Sequence, residues 1–93
     1  MIANKAKIII NLIDEQEIAK RGIRSWPIWE KEVSEFDWFY DTREQCFFLE
    51  GEAIIKTNEG TFMVRKGDYV TFEKGLSCKW KILTPVKKHY KFS

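Results

Sequence analysis

Glycine-bearing turns constrain this chain more than any other feature. Gly51, Asn58-Glu59-Gly60, Lys66-Gly67-Asp68 and Glu73-Lys74-Gly75 interrupt its second half so often that no helix of ordinary length fits between them. The runs left over are Gln45 to Leu49, Ala53 to Thr57, Thr61 to Val64, Tyr69 to Phe72, Cys78 to Leu83 and Val86 to Phe92. Short runs rich in β-branched and aromatic side chains between such turns read as strands. Asn58-Glu59-Gly60 reads as a hairpin turn, while Gly51 and Pro85 read as breaks between neighbouring strands. Gln45 to Leu49 is apolar on both faces, so it belongs inside the fold rather than at an exposed edge. Short strands at even spacing indicate a sandwich or barrel, not parallel βαβ units.

The first part of the chain is different. Lys7 to Leu12 reads as a short β-branched strand. Asp14 can cap a helix, with Glu17 three residues on to complete a capping-box-like start. Gln16 to Lys20 favour helix, and Gly22 ends it. After Trp26-Pro27 the pattern turns to alternation, with Phe36, Trp38 and Tyr40 on one face, Asp37 and Phe39 on the other, and a turn at Asp41-Thr42-Arg43. The expectation is one domain over residues 1–93, with a strand-helix lead-in over about 1–25 and a barrel over about 26–93. A chain this short buries only roughly 60–65% of the surface its unfolded form exposes. Its 15% aromatic content therefore matters, because large rings supply much apolar area per ordered residue.

Charge excludes more than it suggests. Sixteen basic and 14 acidic side chains leave a net charge of +2, without the concentrated basic footprint of a nucleic-acid binder. Lys79, Lys81, Lys87, Lys88 and Lys91 form one basic cluster, interrupted by Trp80, Pro85, His89 and Tyr90. It reads as a solvated strand face in preference to a phosphate site. No apolar run approaches the ~18 residues of a membrane span. Ile8-Ile9-Ile10 is crowded by Lys5, Lys7 and Asn11, which makes a poor secretory signal, so the expected location is the cytoplasm.

With the turns placed, the chain resembles the cupin superfamily, whose fold is an all-β jelly-roll barrel of two antiparallel sheets. Glu44 and Gly51 match the end of the first cupin motif, and Gly67 and Gly75 match the second, with Glu73 where Pro is usual. More narrowly it resembles small single-domain cupins related to the cupin domain of (S)-ureidoglycine aminohydrolase. The carriers are Trp26-Pro27-Ile28-Trp29-Glu30, Phe36 to Tyr40, Leu49-Glu50-Gly51, Gly67-Asp68, Thr71-Phe72, Lys74-Gly75 and Lys88-His89-Tyr90. The resemblance implies a homodimer, and hydrolytic release of ammonia from a ureido compound as the nearest reaction. In metal-binding cupins that chemistry leans on a divalent ion held by three His and the motif Glu. Here the positions of the three His fall on Trp38, Tyr40 and Cys78; only Glu44 remains, and the sole histidine, His89, aligns with none of them.

Strand parity groups Glu44, Cys46 and Phe48, and separately Cys78, Trp80 and Ile82. With the cupin alignment, Tyr40, Glu44, Cys46 and Cys78 converge inside the barrel, in a ligand pocket with Trp38 and Trp80. Glu44 reads either as an acid/base group or amine anchor, or as a structural carboxylate paired with Tyr40 or with a Lys or Arg from the rim. Glu44, Cys46 and Cys78 could hold zinc, manganese or nickel, but the set is thin and the expected cofactor is none. The two cysteines read first as buried thiol fillers, and a disulfide or a nucleophile role is weighed below that. Trp26, Trp29, Trp38 and Trp80 are either core or a stacking platform. Tyr90 is expected to face inward and His89 outward. Two functions stand open: a pocket for a small polar molecule with Glu44 and Tyr40 as catalytic groups, or a non-catalytic ligand-sensing or interaction module.

Overall fold

The computed structural model describes residues 7–93. The expected all-β jelly roll is what it shows: seven antiparallel strands, β1 (Ile8–Leu12), β2 (Ile28–Lys31), β3 (Ser34–Phe39), β4 (Glu44–Thr57), β5 (Gly60–Arg65), β6 (Asp68–Phe72) and β7 (Ser77–Phe92). One short helix, α1 (Glu15–Lys20), and a 3-10 turn at Ile23–Ser25 follow β1. Asp14 caps α1 by accepting the Glu17 N–H at 2.9 Å. The reciprocal half of the capping box is not used, because Glu17 Oε2 pairs with Arg21 Nε at 2.7 Å instead. No described helix is long and apolar enough to cross a membrane.

Two long strands tie the fold together. The first half of β4 and the second half of β7 lie in a layer ordered β1-β6-β4-β7-β2. The remaining halves lie in a second layer, where β5 pairs β4 and β3 pairs β7. Gly51 and Pro85 therefore do not break strands, as their residue types suggest. They lie inside β4 and β7, where the ladder between the two strands shifts register from Phe48 to Ala53. The physical reason is a close backbone approach. A Cβ on Gly51 would lie 2.2 Å from the Pro85 carbonyl oxygen, and Gly51 has φ +95°. Glycine lets the two chains touch at this bend.

Both layers face one core. Cys46 and Phe48 from one half of β4, Ala53 and Ile55 from the other, Phe72 from β6 and Trp80 from β7 are all buried in it. Rings join across it, with Phe72 to Trp80 at 5.7 Å and Tyr40 to Phe72 stacked at 4.7 Å. A second cluster lies outside the first layer, where Ile18 of α1, Ile23 and Trp26 cover Phe47, Tyr69 and Leu49. This is why Gln45 to Leu49 is apolar on both faces: one lines the barrel, the other the helix seat.

Candidate functional site

The inner end of the barrel is built around Glu44, the first residue of β4, which pairs with Phe72 on one side and Phe92 on the other. Its Oε2 accepts two hydrogen bonds, from Lys88 Nζ at 2.8 Å and from Cys46 Sγ at 2.8 Å. Cys46 reaches it because residues two apart on a strand share a face. Lys88 reaches it along the inner face of β7 from its position opposite Phe48. Both members of the ion pair are enclosed, with side chains 5% and 6% exposed for Lys88 and Glu44. The ammonium also lies over the rings of Trp29 at 4.8 Å and Trp80 at 4.9 Å.

Lys88 thus departs from the solvated basic face expected of its cluster. Lys79, Lys81 and Lys91 of that cluster are exposed, but Lys88 is buried. The same alternation that turns Tyr90 inward turns Lys88 inward too, and a count of basic residues hides it. His89 does point out of the barrel. It is buried there all the same, with Nδ1 2.9 Å from the Trp26 carbonyl.

Tyr40 follows β3 and is fixed by its backbone to the turn before β7: its N–H donates to Leu76 O at 2.9 Å, and its carbonyl accepts from Gly75 N at 2.7 Å. Its hydroxyl accepts from Trp80 Nε1 at 3.3 Å. A cavity of about 160 Å³ opens above these groups. Of the residues expected there, Trp38, Tyr40, Glu44 and Trp80 line it. Trp29, Phe36 and Lys88 join them, with Tyr90 and Phe92 closing one side. Trp38, 48% exposed, stands at the mouth. Cys46 is fully buried beneath Glu44 and does not reach the cavity, whereas Cys78 borders a separate surface groove with Asp37 and Asn58. Trp26 belongs to the outer cluster, so three of the four tryptophans share the cavity.

Protonation follows from this burial. Burial pushes the Tyr40 hydroxyl well above its ordinary pKa, and the nearby Glu44 charge adds to the effect. Burial likewise raises the Cys46 thiol, against the pull of Lys88. Cys78 rises to about 11, again chiefly through burial. For Lys88, burial works against the charge, but Cys46 and Glu44 together outweigh it and the pKa rises. Because Cys46 is itself held as a thiol, the Glu44 carboxylate is the partner that keeps the ammonium charged.

These groups do not fit a divalent ion. Trp38 and Tyr40 stand where the cupin alignment expects His, and Cys78, though packed in the same core as Tyr40 and Cys46, does not line the cavity. Glu44 already holds an ammonium at 2.8 Å, which would repel a second cation. Among the described residues no group of three His, Cys, Asp or Glu side chains is close enough to hold a metal. The two cysteines are free thiols.

The family model described as the EutQ-like cupin domain matches residues 18–90. The crystal structure of a DUF861 family protein from Thermotoga maritima is 48% identical, with TM-score 0.90 over 92% of this chain and 99% of that one. A Pseudomonas syringae protein of the same family, of unknown function, is 25% identical with TM-score 0.65, covering 71% of this chain and 29% of that one. The Clostridium difficile EutQ protein shares the fold at 17% identity and TM-score 0.64, covering 70% of this chain and 52% of its own. No curated protein matches the chain.

Proposed function

Because the chain belongs to the EutQ-like cupin family and keeps a ring-lined cavity above a buried ion pair, we propose that it binds a small polar molecule inside its barrel. The cavity itself carries this reading. Its walls are aromatic, and its few polar groups are Tyr40 and the Glu44–Lys88 pair. Apolar walls with a small number of convergent polar groups are the usual construction of a small-molecule site.

The chemistry favours binding over turnover. Tyr40 is held as a phenol, Cys46 as a thiol and Lys88 as an ammonium, so Glu44 is the one base at the floor, and its Oε2 is engaged twice. A hydrolytic reading, release of ammonia from a ureido or amine compound, draws on a single observation. Glu44 borders the cavity, and among the described residues its Oε1 has no hydrogen-bond partner, so it could serve as acid/base group with Tyr40 as donor. A thermal-shift screen of small polar compounds, repeated on Trp38→Ala, separates the readings when hits are then assayed for ammonia release. Binding that raises the melting temperature, weakens in the variant and releases no ammonia is expected. Steady ammonia release abolished by Glu44→Gln would replace binding with hydrolysis.

The assembly that suits this barrel is a homodimer. In the structure β3 bonds to β7 alone and exposes Trp38 and Phe39, an edge that a second copy would protect. Sedimentation equilibrium should give twice the chain mass, reduced by Phe39→Lys; a monomer at every concentration would contradict it. Two buried free thiols suit a reducing compartment, which supports a cytoplasmic location.

A further inference from the structure

We propose that this cavity selects an uncharged planar molecule with a hydrogen-bond donor and acceptor side by side, as on an amide or lactam edge, over ions of the same shape. The inference rests on the reading of the cavity as a ligand site and names the class of ligand.

The floor of the cavity is already electrically balanced. Lys88 Nζ and Glu44 Oε2 lie 2.8 Å apart and are enclosed together. An ion entering beside a closed pair loses its hydration without gaining an unpaired counter-charge, and buried charge without a partner is unfavourable. Aromatic faces ordinarily attract cations. Here the faces of Trp29 and Trp80 are taken by the Lys88 ammonium at 4.8 and 4.9 Å. A second cation would meet the repulsion of that ammonium, and the Glu44 charge that could offset it is already engaged at 2.8 Å. An anion could still reach an N–H of Lys88, but the positive charge there is already balanced by the Glu44 carboxylate 2.8 Å away. The anion would also face that carboxylate, together with the electron-rich sides of the rings.

A neutral ligand meets none of these penalties. Glu44 borders the cavity with Oε1 open as an acceptor. The Tyr40 oxygen receives the Trp80 indole N–H, which leaves its own proton to donate. The ammonium of Lys88 has three N–H bonds and spends one on Glu44. Glu44 and Lys88, 2.8 Å apart, therefore set an acceptor beside a donor in the cavity wall, the complement of an N–H beside a C=O, and Tyr40 adds a second donor to the same lining. Size and shape agree. The cavity is about 160 Å³, and a cavity of about 150 Å³ accommodates benzene. The rings of Phe36 and Trp38 in the cavity wall favour a flat body.

Benzamide, benzoate and benzamidinium form a matched set for the test, since they share one ring and one planar substituent. Each is titrated into isotopically labelled protein, following the indole N–H signals of Trp38 and Trp80. Benzamide is expected to shift both signals saturably, with an affinity at least about tenfold above either ion. Lys88→Met should then turn the preference toward benzamidinium and Glu44→Gln toward benzoate, because each leaves one charge unbalanced. If either variant does not fold, the ranking on the unaltered protein decides. Equal or tighter binding of benzoate or benzamidinium at these signals would overturn the neutral-ligand inference while leaving the cavity as a ligand site. No movement with any of the three would overturn both.

Discussion

Four aromatic rings and one carboxylate surround the Nζ of Lys88, with Trp29, Trp80, Phe48 and Phe72 all within 6 Å and Glu44 at 2.8 Å. At the scale of residues this pair governs both stability and chemistry. Lys88→Met leaves Glu44 buried without its partner and should destabilise the barrel by about 3–5 kcal/mol, read by urea unfolding. Combining it with Glu44→Leu removes both charges and should restore most of that loss. A single variant as stable as the unaltered protein would mean the pair is not enclosed. The same groups set the response to alkali. Cys46, Cys78, Tyr40 and Lys88 all have raised pKa values in the fold. A raised group holds its proton in the folded chain after the unfolded chain has lost it, so its stabilisation is complete below the unfolded value and fades as pH climbs. For Cys78 that window runs from 9.0 to about 11. Melting temperature should be level through neutral pH and fall from about pH 9 upward, less steeply in Cys78→Ala; a rise over that range would have the wrong sign.

At the scale of elements, the bend shared by β4 and β7 lets two strands serve both layers. Gly51→Ala places a Cβ against the Pro85 backbone at a positive φ, and should destabilise by more than about 2 kcal/mol, measured by denaturant unfolding. Gly60→Ala is the control for positive φ alone, since a Cβ there meets nothing within 4 Å. This bend also marks where the sequence can be read and where it cannot. Turns at Asn58-Glu59 and Lys66-Gly67 are local chemistry, and they appear where turn residues put them. Gly51 and Pro85 look like local breaks but meet only through a contact far apart in the chain, which no window of sequence contains. Lys88 is similar. Its inward direction is legible from Tyr90 by strand parity, but its partner, Glu44, lies 44 residues away. Trp38, Tyr40, Glu44 and Trp80 could be placed together because the cupin alignment supplies the register that parity lacks. Cys78 shows the limit of that register: it joins Tyr40, Cys46 and Trp80 in the core, yet it borders another groove and does not line the cavity.

For the whole molecule, both layers pack one aromatic core against a buried ion pair, which gives the cavity polar groups among apolar walls. α1 and the turn after it cover the outer face of the first layer, so the barrel is backed on one side and open at the other. The central claim is that Lys88 is an ammonium enclosed by rings against Glu44. Side-chain nuclear magnetic resonance of Lys88 tests it most directly. The account predicts ring-shifted ε-methylene protons, slow ammonium exchange with water, and Overhauser contacts to the indoles of Trp29 and Trp80. Unshifted ε-protons with an ammonium in fast exchange would contradict it.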